Sequence, residues 1–206
     1  MEQIKAVSEK TLEDLEILKK AEILREFYLG GGTGLAFLLN HRESRDLDFF
    51  SEKEFNESRL IERLSQVGKF SLEKKEKGTI RGYFKSTALS FFYYPYPLIK
   101  APAIVNGISV ASFTDIGCMK IDAIASRGTK RDFIDVYVIL QKTKISFSRL
   151  IRAFSKKYAS LGYNLIHIKK SLVYFNDAEE DPMPKMIAPV KWETVKDFFI
   201  AEIKKL

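Results

Sequence analysis

Asp46 and Asp48 stand two residues apart in the segment Asp46-Leu47-Asp48-Phe49-Phe50, whose alternation of polar and apolar residues predicts a β-strand. Residues i and i+2 of a strand point to the same face, so both carboxylates converge on one spot. Paired carboxylate oxygens suit a hard divalent cation, Mg²⁺ or Mn²⁺, that carries the phosphates of a nucleotide. Fourteen residues before Asp46 ends a run of three glycines, Gly30-Gly31-Gly32. It follows an apolar stretch and precedes a helical one, so its N–H groups can face an anion at a helix N-terminus. Taken singly, the glycines also suit a flexible turn and the aspartates a polar edge strand. At this spacing, with a helix between them, they favour a phosphate and metal site.

A second set lies between Lys120 and Tyr137. Lys120 and Arg127 are seven residues apart and share one helical face; Asp132 and Asp135, three apart, share another beyond Gly128. The cations could bind a triphosphate while an aspartate orients them or acts as a base. An ion-paired helix–loop–helix surface would use the same residues. Lys120 and Asp132 are expected in the pocket of Asp46 and Asp48. His41 and His167 have no second His or Cys suggesting zinc and read as structural or solvent-facing. Cys118 reads as a small buried hydrophobe. The aromatics of residues 91–96 could stack a base, but they also read as core and loop packing.

These residues need elements to hold them. Residues 9–27 carry a surface-helix pattern, Leu35 to Leu39 reads as a helical segment ended by Asn40, and Glu54 to Val67 as a helix capped by Gly68. Residues 69–94 read as successive strands, and Asn106-Gly107 as the turn of a short hairpin. Ser112 to Arg127 and Arg131 to Leu140 read as helices broken at Gly128, and the remainder is helical apart from a loop over residues 177–189. This order predicts an α+β fold with a short mixed β-sheet flanked by helices. Residues 1–142 are expected to form the core, and residues 143–206 a basic helical extension.

Composition narrows the class. With 206 residues, 46% hydrophobic and 30% charged, the chain can bury a core, so disordered and fibrous classes are excluded. The single cysteine excludes an intrachain disulfide and a Cys-based zinc site. The first sixteen residues lack the apolar region of a signal peptide, and the most apolar stretch, Ala88 to Ile99, is too short to span a bilayer. A cytoplasmic protein without a membrane partner is expected. The net charge of +7 is concentrated late in the chain, because Val136 to Asn176 contains no Asp or Glu but eight Lys and Arg. Within it, Phe147, Leu150, Ile151, Phe154 and Tyr158 define an apolar helical stripe, which turns Arg149, Arg152 and Lys156 outward as a cationic ridge suited to RNA phosphate.

Several blocks resemble a known family. Gly31-Gly32-Thr33-x-Leu35-Ala36, then His41-Arg42-x-Ser44-x-Asp46-x-Asp48-Phe49-Phe50, is similar to the opening signature of the AbiEii toxin-like nucleotidyltransferases. Ser90-Phe91-Phe92-x-Tyr94-Pro95-Tyr96-Pro97 and Lys120…Arg127-Gly128-x-Lys130-Arg131-Asp132-Phe133-x-Asp135 resemble its later blocks. The resemblance spans about residues 28–140. It implies a polymerase-β-like fold with the metal on Asp46 and Asp48, and nucleotide binding by Gly31, Gly32, Thr33, Arg42, Ser44, Arg127 and Arg131. It also implies catalytic roles for Lys120 and Asp132, an NTP as substrate, an RNA (tRNA) or protein hydroxyl as acceptor, and a cognate antitoxin as partner. One feature departs from the superfamily pattern. A third carboxylate usually stands on a later strand, and here Ser90 occupies that place. The base would then come from Asp122, Asp132 or Asp135, with Asp132 the candidate; the alternative is a degenerate module that binds nucleotide or RNA and acts through a partner.

Overall fold

A computed structural model describes residues 5–206 of the chain. Chain contacts divide it into two compact units, one formed by residues up to 97 with 101–111, the other by residues 98–100 with 112–206.

The first unit holds all seven strands of one mixed sheet, in the order β3-β4-β5-β2-β1-β7-β6. Helix α1 (Glu9–Lys20) opens on Ser8, whose hydroxyl accepts from the Thr11 N–H. It ends earlier than the apolar pattern to residue 27 predicts, because Glu22 adopts φ +54° and turns the chain out of the helix. Strand β1 (Tyr28–Leu29) leads through Gly30 into α2 (Gly31–Leu39), which Asn40 closes in the left-handed conformation. Strand β2 (Leu47–Ser51) then pairs antiparallel with β1 and parallel with β5 (Thr87–Tyr93). Helix α3 (Glu57–Val67) and the antiparallel strands β3 (Phe70–Glu76) and β4 (Thr79–Phe84) lie between them in sequence. The hairpin β6 (Ala103–Val105) and β7 (Ile108–Val110) turns at Asn106 and Gly107, both at positive φ, as the dipeptide predicts.

The sheet has two unlike faces. Leu47, Phe49, Leu89, Phe91, Ile80 and Phe84 are buried and pack in one core with Leu15 and Leu18 of α1 and Leu60 and Leu64 of α3. Each such side chain contributes about 1.5–3 kcal/mol by leaving water. The alternate residues of the same strands, Asp48, Phe50, Ser90, Phe92, Arg81 and Tyr83, are half-buried or exposed. On that face Phe50 stacks on Phe92 (5.2 Å between centroids) and Tyr94 meets Phe50 edge-on (5.3 Å), so these aromatics pack first against each other.

The second unit is helical: α4 (Phe113–Arg127), α5 (Lys130–Lys142), α6 (Phe147–Lys157), α7 (Leu165–Ser171), α8 (Asn176–Glu180) and α9 (Trp192–Ile203). This unit begins at α4, because α4 and α5 pack on one another and on α6, α7 and α9. Residues 98–100 are tied to this unit by Asp115, which accepts from the N–H groups of Ile99 and Lys100. Asp115 also takes the Ser112 hydroxyl and the Lys157 ammonium at 3.0 Å, all at full burial of the pair. Phe133 forms the aromatic centre, with Phe175, Trp192 and Phe199 against it. Among the described residues, no helix is long and apolar enough to cross a membrane.

Candidate functional site

The glycine run builds a phosphate-sized cradle in the first unit. Gly31 opens α2 at φ +59°, which a residue with a Cβ adopts only under strain. A Cβ there would lie 2.8 Å from Asp48 Oδ2, and one on Gly32 would lie 2.5 Å from Arg42 Nη2 and 3.1 Å from Ser44 Oγ. Bare backbone at both positions is therefore what lets a carboxylate, a guanidinium and a hydroxyl close on the first turn of α2. Gly30, at the N-cap, supplies no side-chain cap, so the positive end of the helix lies at this turn.

Hydrogen bonds fix the loop that carries the aspartates. The buried Thr33 hydroxyl bonds both Ser44 Oγ (2.7 Å) and the Asp46 carbonyl oxygen (2.5 Å). Arg42, also buried, donates to the Glu43 carbonyl at 3.0 Å, and the Ser44 N–H donates to the Ala6 carbonyl at 2.8 Å. Asp46 precedes β2 and is exposed, while Asp48 lies within the strand and is half-buried. Gly31, Gly32, Thr33, Arg42, Ser44 and Asp48 are thus brought together, with Asp46 at the open end. The donor set fits Mg²⁺ or Mn²⁺ held jointly with phosphates: two hard carboxylates beside the positive end of a helix. A cage made of protein alone is absent, since no three His, Cys, Asp or Glu converge among the described residues.

Ser90 stands where the sequence places it. It is the register partner of Asp48 on the adjacent parallel strand, and its other partner is Arg81 on β4. A hydroxyl and a guanidinium therefore continue the row that Asp48 begins.

In the second unit the two faces read from sequence turn out to be one cluster. The Lys120 ammonium lies 2.8 Å from Asp132 Oδ1 and 2.7 Å from Asp135 Oδ2. Arg127 Nε reaches Asp132 Oδ2 at 2.9 Å, and the Thr129 hydroxyl donates to the same oxygen at 2.5 Å. Asp132 and Asp135 are fully buried and Lys120 nearly so, whereas half of the Arg127 side chain is exposed. Burial pushes the Asp132 carboxyl up, but the Lys120 and Arg127 charges outweigh it and hold the group at about 2. A general base works best with a pKa near the working pH, so this carboxylate is built to hold cations rather than to take protons.

Other candidates fall outside these clusters. Arg131 is exposed on α5 and joins no ion pair among the described residues. Asp122 accepts from the Tyr163 hydroxyl. His41 is buried, His167 is exposed, and burial raises the Cys118 thiol to about 12, so it is inert. Lys157, counted with the basic segment, is withdrawn from the surface by Asp115. Arg149, Arg152 and Lys156 are all exposed, opposite a buried stripe of Phe147, Leu150, Ile151, Phe154 and Tyr158. Sequence reasoning missed Arg81 and Tyr83, although the alternation of β4 places both on the aspartates' face.

Comparison with known proteins follows the same blocks. The family model described as nucleotidyl transferase AbiEii toxin, type IV TA system, matches residues 14–103 and 91–205. The Aquifex aeolicus (strain VF5) protein aq_aa25 is 36% identical over 197 residues, covering 94% of each chain. Among solved structures, MenT4, the nucleotidyltransferase toxin Rv2826c from Mycobacterium tuberculosis H37Rv, matches with a TM-score of 0.55 at 14% identity, over 97% of this chain and 86% of that one. JHP933 from Helicobacter pylori matches with a TM-score of 0.50 at 18% identity, over 97% and 92%. Both structures share the fold. Since the two matched stretches carry the glycine turn, the aspartate pair and the Lys120–Asp135 cluster, the chain belongs to the AbiEii nucleotidyltransferase toxin family.

Proposed function

We propose that the protein transfers a nucleoside monophosphate from a magnesium-bound NTP to a hydroxyl of RNA, as the toxin of a toxin–antitoxin pair acting in the cytoplasm. The observation that carries this reading is the closure of Asp48, Arg42 and Ser44 on a bare glycine turn, with Asp46 exposed beside it. Amides of the α2 turn and the Arg42 guanidinium bind triphosphate oxygens. Asp46 and Asp48 hold the metal, which when bound neutralises charge building on the phosphates. The acceptor oxygen bonds to the α-phosphorus, the bond to pyrophosphate breaks with its electron pair, and the hydroxyl proton leaves to water at the open end of the site. Such a transfer asks for positioning and charge neutralisation more than covalent chemistry.

Incubating the protein with each labelled NTP and a tRNA pool, with and without Mg²⁺, tests this. Magnesium-dependent label on tRNA supports it, and label on protein alone moves the acceptor to a protein hydroxyl. Ser90, in place of an acid, favours a second reading, a module that binds nucleotide without transferring it; bound NTP with no product would establish that one.

Two variants probe the parts separately. Gly32→Ala puts a methyl group 2.5 Å from the tip of the buried Arg42 guanidinium, in a helix that alanine favours by up to about 1 kcal/mol. Displacing the guanidinium offsets that gain, so the melting temperature should change little or fall, while Mg–NTP affinity falls roughly tenfold; unchanged affinity would remove Arg42 from the site. Reversing Arg149, Arg152 and Lys156 to Glu should weaken RNA binding and flatten its salt dependence while sparing NTP. An unchanged salt slope would leave that ridge as solvated surface.

A further inference from the structure

The open face of the sheet continues past the aspartates onto β5 and β4. Asp48, Ser90 and Arg81 are in register across three adjacent strands, and Tyr83, two residues beyond Arg81, lies on the same face. A groove of about 520 Å³ begins there, lined by Tyr83 and Ser86 on one side, Asp46 on another, and Lys5 and Lys10 from the start of the chain. Three of its features are unspent. Tyr83 is 40% exposed, with no aromatic partner among the described residues. Lys5 and Lys10 are exposed and pair with no carboxylate among the described residues, whereas Arg45, also in the lining, meets Glu43, and Lys19, Lys74, Lys77 and Lys85 each meet a carboxylate. Asp46 makes no side-chain bond there either, although its backbone is fixed by Thr33.

Asp48 lies against the glycine turn, and Asp46 opens onto the groove. An open aromatic ring flanked by unpaired cations is the chemistry that takes a base by its face and the adjoining phosphates by charge.

We propose that this groove is the acceptor site, holding the 3′-terminal nucleotides of a single-stranded RNA, with a base stacked on Tyr83 and phosphates met by Lys5 and Lys10. The proposal rests on the reading of Asp46 and Asp48 as the transfer centre. A protein acceptor would leave the ring and the two lysines without a task.

The test measures anisotropy of a 5′-labelled single-stranded oligoribonucleotide with a free 3′-hydroxyl, bound to the full chain without nucleotide, over a range of salt. Tyr83→Ala should weaken binding roughly tenfold with the salt slope unchanged, and Tyr83→Phe should restore it. Lys5→Gln with Lys10→Gln should lower the slope by roughly 0.7 per lysine. Mg–NTP affinity should stay at the wild-type value in all three. Wild-type RNA affinity and slope in Tyr83→Ala and in the double lysine variant would overturn the proposal. So would a photoreactive 3′ end captured by α6 instead of β4. Because RNA is measured without nucleotide, a wild-type protein that fails to bind Mg–NTP overturns only the reading of the aspartates.

Discussion

Replacing Asp46 and Asp48 together by Asn is expected to abolish magnesium-dependent nucleotide binding and to leave the fold intact. Each substitution keeps the size of the side chain and removes one charge from a set of two. Losing a partner that merely orients a metal ligand costs 10–100-fold in affinity, so losing both carboxylates should cost roughly 100-fold or more. Stability should hardly move. Asp46 is exposed and Asp48 half-buried, and neither belongs to the core beneath β2. Exposed substitutions of this kind stay within about 0.5 kcal/mol, with a little more for removing a negative charge near the start of α2. Calorimetric titration of Mg–ATP, Mg–GTP, Mg–CTP and Mg–UTP, beside a melting curve, reads both effects. Wild-type affinity in the double variant would sink the metal assignment.

The second large effect lies in the helical unit. Lys120→Met removes the cation from between Asp132 and Asp135, both fully buried. Breaking a buried pair by deleting one partner costs about 3–5 kcal/mol, and here two carboxylates lose it at once. A fall in melting temperature of roughly 10 °C or more is expected. Adding Asp132→Asn and Asp135→Asn to Lys120→Met should recover much of the loss, because no uncompensated charge is left. The same cluster predicts an acid limb. Asp132 titrates at about 2 when folded against 3.8 for the free side chain, so its stabilisation is complete above pH ~4 and is lost as pH falls toward 2. A lowering of that order corresponds to about 2 kcal/mol. Denaturant titrations of wild type and Asp132→Asn should converge by that amount across this range. A constant gap would mean that the carboxylate gains nothing from its partners.

The elements around the first site were legible because their signals are local. The glycine run, the alternation of residues 46–50 and the Asn106-Gly107 turn each dictate their own backbone. Ser90 was singled out from the family pattern alone, and that it is the register partner of Asp48 follows from the parallel pairing of β2 with β5. What escaped depends on distant partners. Lys157 reads as one more cation in an acid-free stretch, yet Asp115, 42 residues earlier, buries it. Spacing put Lys120 with Arg127 and Asp132 with Asp135 on separate faces; only the folding of α5 back against α4 turns those faces toward each other. Arg81 and Tyr83 stood in a strand already recognised, but their meaning required knowing that β4 lies two strands from Asp48.

The central claim is that the bond made is to the α-phosphorus. Parallel incubations of the protein and a tRNA pool with α-labelled and γ-labelled NTP test it most directly. The account predicts that α-label enters the nucleic acid and γ-label is released as pyrophosphate, both only with Mg²⁺ and neither with the Asp46→Asn, Asp48→Asn variant. Label from the γ-phosphate on the acceptor, or α-label transferred equally well by that variant, would contradict it.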